Sequence, residues 1–276
     1  MDTIQHIKGS LIQHGSHNDR IYLIHLDPND THELIKALDQ LALKHRYGKI
    51  FAKIPADSWQ AFESANYQIE AVVPEMFNRK NTGFFISKYI HADRQTISYD
   101  ENVYAPTQPT GENASGHTHE NGPTRIDIEP CKQLDTEEMS NVYEQVFESY
   151  PFPIHVPDYL KQMMRQDVLY YCIRKAGRIA AIAAAETDMA NKNAEMTDFA
   201  TLPRWRNLGF AHLLLKHLER KIHGLGIKTI YTIARASSKG MNSVFEKNGY
   251  TYSGLLPNNS QICGSIQSMT VWYKHL

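Results

Sequence analysis

Two stretches of the chain carry residue types whose spacing suits chemistry. The first is Arg204-Trp-Arg206-Asn207-Leu208-Gly209-Phe210-Ala211. Gly209 and Ala211 are small where a ligand would have to meet bare backbone, and Arg204 and Arg206 add positive charge. If a helix begins here, its first turn leaves N–H groups unpaired, and with the helix dipole they attract a phosphate. The second stretch lies just upstream, where Glu195 and Asp198 sit three residues apart, with Glu186 earlier in the chain. Carboxylates grouped in this way take up protons or pair with cations.

These residues need elements to position them. Residues 194–202 read as a strand, rich in Thr, Phe and small residues, that stops at Pro203. Ala211, Leu214, Leu215, Leu218 and Ile222 then recur at three- and four-residue steps, the apolar stripe of a helix. On a regular strand Glu195 and Asp198 would face opposite sides; a bulge would change that parity. Upstream, 125–129 alternates as a strand, and Asp135-x-x-Glu138 has the form of a capping box for a helix to residue 147. Ser149-Tyr-Pro-Phe-Pro-Ile-His-Val-Pro157 breaks that helix, because Pro cannot continue it. A short helix is expected over 159–166, then a hairpin of 169–174 and 179–187 across Ala176-Gly177. Downstream come a strand at 227–234, a helix at 241–247, and strands at 250–256 and 268–273.

The pattern Arg206-x-x-Gly209-x-Ala211 resembles the acyl-CoA pyrophosphate loop, Q/R-x-x-G-x-G/A, of the GCN5-related N-acetyltransferases (GNAT). It has Asn207 and Leu208 where Gly and Lys are frequent, so the turn must close with one glycine. Asn242-Ser-Val-Phe-Glu-Lys-Asn-Gly-Tyr250 resembles a second segment of that family, N-x-x-[LVA]-[YF]-E-K-x-G-F. The resemblance implies an α/β protein with a mixed sheet, its GNAT acyl-CoA N-acyltransferase fold at 124–276, with acetyl-CoA as co-substrate and no metal. It further implies that Arg206, Asn207, Leu208, Gly209, Phe210 and Ala211 hold the pyrophosphate. Backbone N–H groups at Phe199, Ala200 and Thr201 would polarise the thioester and meet the pantetheine, and Asn242 would bond the pantetheine or the leaving group. The family's usual acid, a Tyr before Glu-Lys, is here Phe245, which has no proton to give. Tyr250 or Tyr252 would then substitute, or the thiolate would leave unassisted.

Acetylating an amine requires a neutral nitrogen. A primary ammonium with a pKa near ~10 must lose a proton first, so a carboxylate is the expected base. Glu195 stands first and Asp198 second, with Glu186 on the neighbouring strand; a carboxylate that only pairs with the substrate ammonium is the competing reading of each. Tyr150, Phe152, His155 and Asp158 lie where the superfamily shapes its acceptor pocket. The aromatics would wall an alkyl chain, Asp158 would pair with an ammonium and His155 with a carboxylate. Glu-Ser-Tyr-Pro-Phe-Pro-Ile-His, Asn-Ala-Glu-Met-Thr-Asp-Phe-Ala-Thr-Leu-Pro and Glu-Ala-Val-Val-Pro-Glu-Met-Phe-Asn resemble, more narrowly, the beta-lysine acetyltransferases. That resemblance implies synthesis of the compatible solute N-epsilon-acetyl-beta-lysine in osmoadaptation, with beta-lysine supplied by lysine 2,3-aminomutase. Two other readings stand beside it: acetylation of a polyamine, amino sugar or protein lysine, and a CoA-binding regulator without turnover.

Length and composition frame this reading. The 276 residues suggest about two domains, and 42% hydrophobic content is enough for their cores. Residues 92–123 are rich in Asn, Thr, Pro, Gly, Glu and His, as a linker would be, and the His117-Thr118-His119 triplet within them reads as loop rather than metal site. Residues 1–91 form a smaller α/β domain with strands at 20–26, 49–54, 70–73 and 84–89. Its helices fall at 32–45, after Asp30-x-x-Glu33, and at 58–65. His32-Glu-Leu-Ile-Lys-Ala-Leu lines up with His212-Leu-Leu-Leu-Lys-His-Leu, and 50–54 with 230–234 at the same offset. Phe62–Tyr67 lines up with Phe245–Tyr250, three residues out of that register. A degenerate half of the acetyltransferase fold, without its CoA loop, is one explanation; chance likeness of strand-helix-strand segments is the other. A net charge of -1 argues against nucleic acid. Cys131, Cys172 and Cys263, without a CxxC, suit a reducing compartment. With no leader segment and no run of ~20 apolar residues, a cytoplasmic protein acting away from membranes is expected. The oligomeric state is left open.

Overall fold

The computed structural model describes residues 2–97, 103–106 and 126–276. The first half runs β1 (Thr3–Ile7), β2 (Ser10–Gly15), β3 (Arg20–His25), α1 (Thr31–His45), β4 (Lys49–Pro55), α2 (Trp59–Glu63), β5 (Gln68–Phe77) and β6 (Asn81–Tyr89). The second runs β7 (Ile128–Pro130), α3 (Thr136–Val146), α4 (Pro157–Met164), β8 (Val168–Lys175), β9 (Arg178–Asp188), β10 (Asn193–Thr201) and α5 (Phe210–Gly224). It closes with β11 (Thr229–Arg235), α6 (Lys239–Lys247), β12 (Thr251–Ile262) and β13 (Ser265–His275). The fold is α/β with a mixed sheet. Among the described residues the strands join one 13-stranded sheet in the order β1-β2-β3-β4-β6-β5-β12-β13-β11-β10-β9-β8-β7. Among the described residues no helix is long and apolar enough to cross a membrane.

The sheet has an internal two-fold pattern. β3–α1–β4 makes a parallel pair, and β10–α5–β11 makes another, as helical crossovers require. Each pair is flanked by an antiparallel strand before it (β2, β9) and by a returning hairpin after it (β6 with β5, β13 with β12). The registers correspond residue for residue: Lys49↔Tyr89 matches Thr229↔His275, and the bulge between Ile69 and Ala71 matches that between Tyr252 and Gly254. The rings of Phe62 and Tyr67 meet edge-on at 5.1 Å, and those of Phe245 and Tyr250 at 5.3 Å. The connections before α2 and α6 are equally long, 56–58 and 236–238, so the three-residue shift seen in the sequence lies within α6, the longer of the two helices.

The halves meet where Gly254 pairs with Ala71. A Cβ at Gly254 would lie 2.1 Å from Glu70 O, so only glycine allows this approach. Buried polar groups reinforce the seam. Lys49 Nζ contacts both Glu70 oxygens at 3.2 Å and donates to Pro257 O at 2.8 Å. One sheet face packs on α1 and α2 in the first half and on α5 and α6 in the second. The other face carries Tyr22, Phe51, Phe85 and Tyr231 in the middle, near Phe147, Tyr150 and Phe152.

Several elements differ from the sequence expectations. The hairpin β1–β2 is additional; its outer strand is largely exposed and polar, so it lacks strong alternation. Lys8 (φ 50) and Gly9 (φ 74) supply the left-handed pair a tight hairpin needs. Neither expected capping box caps its helix. At Asp30 no side-chain cap forms, because a 3-10 turn (Pro28–Asp30) comes first and Asp27 accepts from Asn29 N. Glu138 is drawn to Arg174 and to Ile179 N. The stretch read as a linker begins docked, with Arg94 buried and bonded to Asp19, Asn18 O and Asn258 O. His117 to His119 lie outside the described residues.

Candidate active site

β10 and β11 pair only from Asn193↔Thr229 to Glu195↔Tyr231, and then diverge. Beyond that point β11 continues against β13 and β10 against β9, so the facing edges at 196–201 and 232–235 part into an opening. Unpaired strand edges offer N–H and C=O groups to an extended ligand. A cavity of about 1450 Å³ occupies the opening and extends beneath the first half.

The bulge decides the parity of the carboxylates. The β10–β9 register shifts between Thr197 and Ala200, and Asp198 has φ 54. Asp198 is thereby turned to the side of Glu195, and both line the cavity with Glu186. Glu186 is Glu195's partner across the ladder, so their side chains share a face. Protein encloses Glu186 even though its carboxylate keeps contact with solvent inside the cavity. Burial raises the pKa of Glu195, opposed by Lys53 and a hydrogen bond from Tyr231. Burial, then Glu195 and Asp198, raise that of Glu186. Asp198 is pushed up to about 6 by burial, although Tyr150 OH donates to its Oδ1 at 2.8 Å. Like charges this close cannot all ionise freely, and the group is ready to take up a proton or a cation.

The first half reaches this site. Lys53 Nζ donates to Tyr231 OH at 2.5 Å. β2 clamps the loop 147–156 through Gln13 Nε2 to Pro151 O at 2.7 Å, and His17 contacts Tyr150 O at 3.1 Å. Sequence reasoning missed Arg20, Tyr22, Lys53 and Tyr231. A lysine in the middle of the otherwise apolar run Ile-Phe-Ala-Lys-Ile was the available signal for Lys53.

The turn before α5 has the form an anion site requires. Gly209 is its N-cap at φ 73, and Asn207 is also left-handed at φ 63. Arg206, Asn207, Phe210 and Ala211 line the cavity, as do Phe199 and Thr201; Leu208 points outward, 54% exposed, and Ala200 is buried. Among the described residues nothing beyond its chain neighbours lies within 4 Å of a Cβ built on Gly209, so within the protein a substitution acts through backbone strain, and a side chain there would project into the space a pyrophosphate needs. Gly209→Val should weaken CoA binding by about 10-fold, since a β-branched residue resists this conformation at a cost of ~1–3 kcal/mol. Unchanged affinity by calorimetry in the folded variant would remove the loop from the site.

Of the remaining expected residues, Tyr150, Phe152 and His155 line the cavity. Asp158 does not: its carboxylate is 88% exposed and pairs with Lys161 at 2.9 Å, because it lies on the outer side of α4, away from buried Leu160. Asn242 is also placed differently. Its Nδ2 donates to Arg235 O and Ser238 O, and its Oδ1 accepts from Thr270 and Trp272, so it ties α6 to β11 and β13. Phe245 lines the cavity, whereas Tyr250 and Tyr252 are packed away from it against Phe245 and Trp272.

A sequence profile of the Acetyltransferase (GNAT) family matches residues 134–250. The Beta-lysine N(6)-acetyltransferase of Methanococcus maripaludis is 35% identical over 277 residues, covering 99% of both chains. That of Methanosarcina mazei is 30% identical over 264 residues, covering 88% of this chain and 97% of its own. Among solved structures, the ribosomal-protein-S18-alanine N-acetyltransferase of Escherichia coli aligns with 54% of this chain and 92% of its own, at 16% identity and a TM-score of 0.48.

Proposed function

The chain belongs to the GNAT acetyltransferase family and is an N-acetyltransferase; from that premise we propose that it carries the acetyl group of acetyl-CoA to N6 of beta-lysine. The observation that carries this reading is that the phosphate-type turn at Gly209 and the three carboxylates open into one cavity. Similarity to the two beta-lysine enzymes along almost the whole chain supports the acceptor.

In the proposed reaction the pyrophosphate sits on the first turn of α5 and the pantetheine runs along the free edge of β10. The acceptor's terminal ammonium enters among Glu186, Glu195 and Asp198, and Glu195 takes its proton. The nitrogen lone pair then attacks the thioester carbonyl carbon; a C–N bond forms, the C–S bond breaks, CoA leaves as the thiolate, and the second proton on nitrogen passes to water. Phe245 gives no proton, so the thiolate departs without an acid at that position. Backbone N–H groups at Phe199 to Thr201 stabilise the developing oxyanion. The first half is a degenerate copy of the β8–β13 unit that carries no CoA turn between β3 and α1. Beta-lysine would come from a lysine 2,3-aminomutase, and the product would serve as a compatible solute in the cytoplasm.

The test is acetyl-CoA consumption by the purified full chain with beta-lysine, a polyamine, an amino sugar and a lysine peptide. We expect beta-lysine to be preferred by at least about 10²-fold in kcat/KM, with the acetyl group on N6 by NMR. Preference for another amine overturns the acceptor, and CoA binding without turnover on any amine overturns the enzyme reading.

A further inference from the structure

At the first-half end of the cavity, three buried polar side chains each leave an atom without a partner among the described residues. They are Arg20 at Nε, Gln13 at Oε1 and Asn259 at Oδ1. All three line the cavity and are 2%, 3% and 1% exposed. Buried polar atoms are nearly always hydrogen-bonded, so three orphans around one cavity wall point to a ligand that supplies the partners.

Arg20 shows what kind of ligand. Its Nη1 donates to Asn259 O and, at 2.9 Å, to Ser260 Oγ. Its guanidinium carbon lies 5.3 Å from the Tyr22 ring centre and 5.7 Å from that of Phe51. No carboxylate among the described residues forms an ion pair with it. Asp2, the acid that acts on it from a distance, is held by Asn18 Nδ2 at 2.7 Å. Burial without a counter-charge lowers its pKa to about 10. A planar guanidinium with free donors and no anion is suited to a carboxylate, which it grips with two parallel hydrogen bonds. Gln13 and Asn259 offer the complementary chemistry, since a free amide oxygen accepts from an ammonium.

The positive end of the cavity connects to its acidic end through Tyr22. Tyr22 follows Arg20 by two residues, on the same strand face. The hydroxyl feels both the guanidinium and the charges of Glu195 and Glu186. A ligand that is anionic at one end and carries an amine at the other therefore matches the cavity's polarity.

We propose that Arg20 binds the carboxylate of the acceptor and that Gln13 and Asn259 receive its second ammonium, so that the first half of the chain selects the substrate. This rests on the proposed acetylation of an amino acid at its terminal amine. Anchoring the carboxylate at Arg20 leaves that amine to reach Glu195, and the amine nearer the carboxylate is held away from the thioester. It also gives a physical role to a half that lacks the CoA turn.

The test compares beta-lysine with 3,6-diaminohexanamide, in which an uncharged amide replaces the carboxylate, and with 1,4-diaminopentane, which lacks the carboxyl group. In the unaltered protein the acid should exceed the amide by about 10²-fold in kcat/KM, mostly through KM. In Arg20→Gln that ratio should collapse toward unity, and Arg20→Lys should restore part of it. Equal use of acid and amide by the unaltered protein, which needs no substitution to fold, overturns the proposal. So does an equal loss on both in Arg20→Gln, which would mean that the guanidinium only holds β3 to β12. A collapse in His155→Ala with the preference intact in Arg20→Gln would move the anion site to His155 and overturn it too. If beta-lysine is inert but another diamino acid is used, and its preference over its own amide collapses in Arg20→Gln, the subsite stands and only the acceptor's identity falls.

Discussion

Glu195→Gln should lower kcat by about 10²–10⁴-fold, the usual contribution of a general base, while CoA affinity stays within a few-fold. The amide keeps the shape of the carboxylate and its bond to Tyr231, so the loss reports the proton and not the fold. In the unaltered protein kcat should rise with pH, because the base acts only after losing its own proton. Raised carboxyl pKa values move that rise upward from the usual range near ~4. Burial raises the pKa of Glu195, and it raises that of Asp198 to about 6. In Glu195→Gln the remaining activity should recover partly at high pH, where the amine is already neutral. Asp198→Asn is the companion, since its Oδ1 can still accept from Tyr150. Near-normal turnover in Glu195→Gln with collapse in Asp198→Asn would transfer the role to Asp198. Normal turnover in both would mean that the proton leaves by another route, with Glu186→Gln the next variant to measure. If Glu195 only paired with the ammonium, KM for the acceptor would rise and kcat would change less.

Glu70→Ala should destabilise the folded chain by about 3–5 kcal/mol, because it leaves the Lys49 ammonium buried without its counter-charge. Lys49 and Glu70 side chains are 0% and 5% exposed, and Ser87 and Tyr89 also donate to Glu70. Replacing both partners by apolar residues, Lys49→Met with Glu70→Leu, should recover most of the loss. Urea unfolding of the single and double variants checks this. A single-variant loss under ~1 kcal/mol would mean that water reaches the pair and that the Gly254–Ala71 contact holds the halves without it. Because Lys49, Glu70 and Pro257 come from β4, β5 and β12, weakening them should also loosen the wall that carries Arg20 and Lys53.

The local elements of the second half and the turn before α5 were legible in the sequence. Periodicity placed α5 to within a residue at Ala211, and Pro203 and Gly209 marked the limits of the connection. These features are local, set by side-chain spacing, φ preference and unpaired N–H groups within a dozen residues. The likeness of 50–54 to 230–234 was legible for the same reason, and the ladder registers agree with it. Tertiary structure alone decided the rest. Parity of Glu195 and Asp198 depended on a bulge that only pairing with β9 creates. Whether Asn242 faced a ligand or the core depended on Thr270 and Trp272, nearly thirty residues away. Arg20, Tyr22 and Lys53 carried no motif, since they enter the cavity through the pairing of β5 with β12, which sets one half of the sheet beside the other. A strand states which residues share a face; only its neighbours decide what that face meets.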